Sequence, residues 1–278
     1  MSGTAMFKWG IAVVVAIAAI IGAFQSFEYL DAKQVMVIQY PSGTLKVFTQ
    51  GGIYPQWFGT VTKYQKRDQF WFSSSKDQGK ADDESIPIRF NDGGHAKISG
   101  SISWEMPADE KNLTALHVKY GSHRAIEQQL VRTVVQKSVY MTGPLMSSTE
   151  SYAARRNELL NVVDDQIVNG VYKTEATTER TKDPMTGADK TITVVRLIKG
   201  PNGAYLRQDA SPLEEYGIKV SNLSINEVKY DEKVEGQITQ QQDAVMKVQT
   251  AVARAREAEQ DAITVAKRGE ADAAKAKW

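Results

Sequence analysis

The chain has 278 residues and sets 34 Lys and Arg against 33 Asp and Glu, for a formal net charge of +1, and it has no Cys. That length accommodates one or two packed domains plus extensions. The near-neutral balance gives no electrostatic reason to expect a nucleic acid as partner, and the lack of Cys excludes disulfides, thiolate catalysis and Cys-ligated metals.

The first element is apolar. Trp9 to Phe24 is a 16-residue run without a charge. At about 1.5 Å per residue it spans roughly 24 Å, slightly short of a ~30 Å hydrocarbon core. Phe7, Phe27, Tyr29 and Leu30 extend it, Lys8 can snorkel, and Trp9 and Tyr29 suit the two interfaces. The reading is a membrane anchor over residues 1–30. A cleaved signal peptide is the alternative, but Ile20 and Ile21 fit poorly at a small-residue cleavage site. Lys8 before the run places the N-terminus in the cytoplasm and the body outside by the positive-inside bias. The expected location is therefore a cytoplasmic (inner) membrane, crossed once, with an extracytoplasmic body.

Strands come next. "QVMVIQYPSGTLKVF" reads as two short strands around a Pro-Ser-Gly turn. "GGIYPQWFG" then places Tyr54, Trp57 and Phe58 in a loop fixed by Pro55 and Gly59. They read either as an aromatic wedge in the membrane interface beside the anchor or as core packing. "QFWFSS" reads as a buried strand. In "AKISGSISWEM", Ala96, Ile98, Gly100, Ile102, Trp104 and Met106 alternate with Lys97, Ser99, Ser101, Ser103 and Glu105. Period-2 alternation predicts one buried and one wet face, and "NDGG" before it supplies the hairpin turn. Residues 31 to about 108 are expected to be mostly antiparallel sheet.

The period then changes. Ile126, Leu130, Val131, Val134, Val135 and Val139 form one helical stripe after a Ser122 N-cap. Ser147-x-x-Glu150 is a capping-box pattern, followed by Tyr152, Leu159, Val163 and Ile167 facing inward and a stop at Asn169-Gly170. Residues 171–199 read as a long hairpin whose first arm is polar on both faces. In "GIKVSNLSINEV" the alternation changes phase, which predicts a bulge near Ser221-Asn222.

From about Tyr230 to Trp278 the pattern is one helix with eleven alanines from Ala244 to Ala276. Ile238, Val245, Val248, Val252 and Ile263 form an apolar seam whose seven-then-eleven spacing unwinds a left-handed supercoil. An isolated Ala-rich helix can stand on propensity and charge pairs alone. The seam therefore predicts lateral assembly.

No catalytic, cofactor or metal site is expected. His117 and His123 are six residues apart, which is not a helical ligand spacing, and the three histidines read as surface or helix-end residues. No nucleophile-elbow, HExxH, Walker or dinucleotide motif is present. Asp82-Asp83-Glu84 reads as a solvated loop rather than a catalytic carboxylate pair.

The order of these elements resembles the stomatin/prohibitin/flotillin/HflK-HflC superfamily, also called SPFH or Band 7. The local matches are "GGIYPQWFG", "NDGGHAKISGSISWEM", "EYGIKVSNLSINEVKYDEKVEGQI" and "RGEADAAKAK". Lys66-Arg67-Asp68 only loosely echoes the family's Asp-x-Arg-like pair, and the 171–199 hairpin lies outside the resemblance. The resemblance implies an α+β fold. It implies an anchor (1–30), a β-rich SPFH1-like part (31–120), an α/β SPFH2-like part (121–229) carrying the hairpin, and an assembly helix (230–278). It also implies a non-enzymatic scaffold that forms rings or cages, alone or with a related second subunit, and organises local membrane. Membrane lipid and an enclosed AAA membrane protease are the implied partners. The competing readings are an anchored binding module using the hairpin and a membrane-tethered hydrolase whose site carries no recognised motif.

Overall fold

The computed structural model describes residues 9, 12–17, 22, 26–75, 82–182 and 189–275. The fold is α+β, with antiparallel sheets and a long C-terminal helix. It divides into two compact units, Met1–Lys229 and Tyr230–Trp278. Trp9 and residues 12–17 are helical, but most of the expected anchor lies outside the described residues. Among the described residues, no helix is long and apolar enough to cross a membrane.

The first unit starts with a two-stranded ribbon, β1 (Phe27–Leu30) against β4 (Gly52–Pro55). Beside it in sequence is a three-stranded sheet ordered β3 (Leu45–Phe48), β2 (Gln34–Gln39), β5 (Thr60–Gln65). Strand β2 has the run Val35-Met36-Val37-Ile38 and is buried along all four residues, as a central strand covered on both faces should be. The Pro-Ser-Gly turn joins β2 to β3 as the sequence predicts.

The main sheet is built on β8 (His95–Glu105), flanked by β13 (Lys219–Tyr230) on one side and by β6 (Arg67–Phe72) and β7 (Ile86–Arg89) on the other. Ala96, Ile98, Ile102 and Trp104 are buried as expected, and register sets them beside Ile88, Ile86, Phe70 and Asp68. The opposite face departs from the expectation. Ser99 and Ser101 are buried rather than wet. Ser74 donates from its backbone N–H to Ser99 Oγ, and Gln69 Nε2 donates to Ser101 Oγ at 2.9 Å. Small hydroxyl side chains tolerate this because each finds a hydrogen-bond partner. The phase change in β13 falls where the sequence places it, for Asn222 has a left-handed φ of 54°.

Helix α1 (Glu110–Tyr120) follows, capped by Asp109, whose side chain accepts from Asn112 N–H. Helix α2 runs through His123–Ala125, a π-helical turn Ile126–Val131 and Arg132–Thr142. Ser122 caps it, and the whole predicted stripe from Ile126 to Val139 is buried. The capping box at Ser147 and Glu150 is formed, but the helix it opens, α3 (Ser148–Tyr152), is short. The chain breaks at Ala153 and restarts as α4 (Arg156–Asn169). Leu159, Val163 and Ile167 are fully buried, whereas Tyr152, expected inward, is exposed because the break takes it off the α4 stripe.

The polar hairpin is present as β10 (Thr174–Lys182) paired in register with β11 (Asp189–Leu197). Val171 and Tyr172, expected in its first arm, instead form β9 against β12 (Arg207–Asp209). A short helix α5 (Pro212–Glu215) leads into β13. The second unit is one helix, α6 (Glu232–Lys275).

Candidate functional site

Two surfaces stand out from the sequence upward. The first is the β1–β4 ribbon and the loop after it. Register pairs Phe27 with Pro55 and Tyr29 with Ile53, so these four share one face. Phe27, Tyr29, Ile53, Trp57 and Phe58 are between 54% and 70% exposed. Clustered exposed aromatics on a ribbon are not what packing alone produces, and patches of this kind mark interaction surfaces.

The loop holding Trp57 and Phe58 is strained. Both have left-handed φ, 44° and 61°. Each such non-glycine residue costs on the order of 1–3 kcal/mol, and strain persists only where the surroundings over-determine it. Here Gln56 N–H donates to Ser26 O at 2.7 Å and Gly59 N–H to Gln56 O at 2.8 Å. Gly59 is itself required, because a Cβ there would lie 2.8 Å from Ile38 Cγ2 and 2.9 Å from Gln39 O. The turn is thus pinned at both ends, with the two rings left outside.

Tyr54 separates from this group. It sits on the opposite face of the ribbon, with its ring 4.3 Å from Phe48 and its hydroxyl donating to Gln50 O at 2.8 Å. There it packs, half-buried, on the cluster of Leu30, Met36 and Ile38. Trp9 is exposed. Phe27 and Ile53, which the sequence reading does not assign to the site, belong to it. The i, i+2 spacing of Phe27 and Tyr29 is the signal that could have found the first.

The second surface is the seam of α6. At about 100° per residue, Ile238, Val245, Val248, Val252 and Ile263 fall within an arc of roughly 80°. Val245, Val248, Val252 and Ile263 are about half exposed or more, whereas Ile238 is only 6% exposed. Met246 and Val265 are exposed as well, but lie off this arc.

Asp83 and Glu84 of the acidic stretch each meet a basic side chain. Asp83 accepts from Lys97 Nζ at 2.8 Å, and this pair and the neighbouring Ser85 hold its carboxyl down to about 2. Glu84 pairs with Arg132 at 3.2 Å. The acidic stretch therefore ties its loop to β8 and α2. Among the described residues no group of three or more His, Asp or Glu could hold a metal ion. His117 and His123, however, both come against Tyr64, with ring centroids at 6.1 and 6.4 Å.

A body of antiparallel sheets and helices followed by one long C-terminal helix defines the class of fold. The chain matches the SPFH domain / Band 7 family over residues 30–262 and belongs to that family. Its members are generally membrane-associated, non-enzymatic scaffolds, and they typically oligomerise. A search of curated proteins found no match.

Proposed function

We propose that this protein is a membrane-anchored scaffold whose copies associate through α6 into a ring or cage that organises a membrane microdomain. The observation that carries the reading is the exposed seam of Val245, Val248, Val252 and Ile263. Burying each of these side chains is worth about 1.5–3 kcal/mol before the cost of ordering, so one pair of neighbours makes a modest contact. In a closed ring of membrane-confined copies each helix has two neighbours, and the contacts reinforce one another through effective concentration. Alanines allow close approach, and Arg254, Arg256, Glu257 and Glu259 set register.

In this reading the body lies outside the cytoplasmic membrane, against the bilayer. Phe27, Tyr29, Ile53, Trp57 and Phe58 sit in the headgroup region, where aromatic rings are favoured. A cage of this kind is suited to enclose or regulate a membrane protease.

The test is Val245→Asp with Val252→Asp, measured by size-exclusion with light scattering in detergent. The expected outcome is a folded, membrane-inserted protein that no longer forms large particles. An unchanged large mass would assign assembly to the body and leave α6 as a spacer.

A further inference from the structure

Two of the chain's three histidines meet at one place, where the end of α1 and the start of α2 come against strands of two sheets. Tyr64 on β5 is 1% exposed, and burial pushes its hydroxyl up to about 12, so it stays protonated. It lies 2.7 Å from His117 Nδ1 in the last turn of α1, and in the Nε2–H tautomer of the neutral ring Nδ1 accepts from the tyrosine hydroxyl. His123, in the first turn of α2, places Nε2 at 2.7 Å from Asp68 Oδ2 on β6 and stacks on Trp104 of β8 at 4.8 Å. Among the described residues, buried Trp104 Nε1 and His123 Nδ1 find no hydrogen-bond partner. Gly121, between the two helices, has a φ of 72°.

We propose that this cluster is an acid-sensitive latch in which His117 is the trigger. While His117 is neutral its Nδ1 accepts from Tyr64 and holds the end of α1 on the sheet. A proton on Nδ1 turns that acceptor into a donor facing another donor. The tyrosine oxygen can accept only by turning its own O–H into a water-free surrounding, which leaves a buried donor unsatisfied.

Groups on the packed elements offer the charged ring little relief. Strand β3 carries Lys46, and β5 carries Lys63, which is held by Glu28. On β6 Arg67 is held by Glu105 of β8, and Asp68 by His123. On α2 stand Arg124 and Glu127, the latter accepting from Gln128. On α1 itself are Glu110, Lys111 and Lys119, the last donating to Tyr216. Burial lowers the His117 pKa from its ordinary value. The closed form therefore binds protons less readily than the open one. Its stability is fully present above the ordinary histidine value of about 6.5 and is lost as pH falls below it.

The experiment is hydrogen exchange on the full chain in detergent at about pH 7.5 and about pH 5.5, corrected for the intrinsic pH dependence of exchange. The expected result is a loss of protection across α1 at the lower pH, with Arg132–Thr142 unchanged. His117→Asn, whose Oδ1 takes the place of Nδ1 and accepts from Tyr64 but does not titrate, is expected to stay protected at both. Equal protection of the wild type at both values, or the same loss in the variant, overturns the latch. Should the variant fail to fold, NMR titration of His117 in the wild type decides. A midpoint below about 6.5 that tracks the α1 amides supports the latch, and a midpoint at or above that value sinks it.

Discussion

Trp57 and Phe58 carry a backbone penalty while their rings stay exposed. Glycine adopts positive φ freely, so Phe58→Gly removes strain as well as the ring. The variant is expected to melt at the same temperature or higher, by up to about 1 kcal/mol of added stability, yet to bind liposomes less when residues 1–25 are absent. A marked loss of stability would mean that the ring packs rather than contacts lipid. Gly100 makes the opposite case. A Cβ there would lie 2.2 Å from Ser224 O on β13. Gly100→Ala should therefore cost more than about 2 kcal/mol, read as a lowered denaturation midpoint, because two backbones meet where no side chain fits.

Among the elements, α3 and α6 draw their form from different sources. Helix α3 depends on its cap, since Ser147 Oγ accepts from Glu150 N–H while the Glu150 carboxylate accepts from Ser147 N–H. Ser147→Ala is expected to destabilise the body by about 1 kcal/mol, measurable by denaturant unfolding. Helix α6 depends on its neighbours in the proposed assembly. Met246 is as exposed as the seam residues but lies about 100° from Val245 around the helix. Met246→Asp is therefore expected to leave the particle mass unchanged while the seam substitutions reduce it. Equal effects from both would show that general hydrophobicity, not a seam, holds the particle together.

For the molecule as a whole, the hairpin β10–β11 is separable. It pairs mainly with itself, from Thr174↔Leu197 to Lys182↔Asp189, and its base is fastened by Ile198 N–H donating to Lys173 O and Lys173 N–H to Leu206 O. Replacing 174–197 by a short Gly-Ser turn should leave folding, membrane insertion and particle mass intact. Loss of the particle in light scattering would make the hairpin an assembly element instead.

Much of this protein follows from local pattern. The strand alternation, the α2 stripe, the Ser122 and Ser147 caps, the Asn222 phase change and the α6 seam depend on residues close in sequence, where period and capping chemistry act directly. What only the tertiary structure decided lies in contacts between distant segments. Ser99 and Ser101 are buried because β6 and the loop after it cover them. Tyr54 parts from Trp57 because the register of β1 on β4 assigns faces. Tyr152 is exposed because the chain breaks at Ala153. His117 and His123, unremarkable by spacing, meet at Tyr64 because the end of α1 and the start of α2 both reach β5, and a helical period carries no information about which strand a helix will touch.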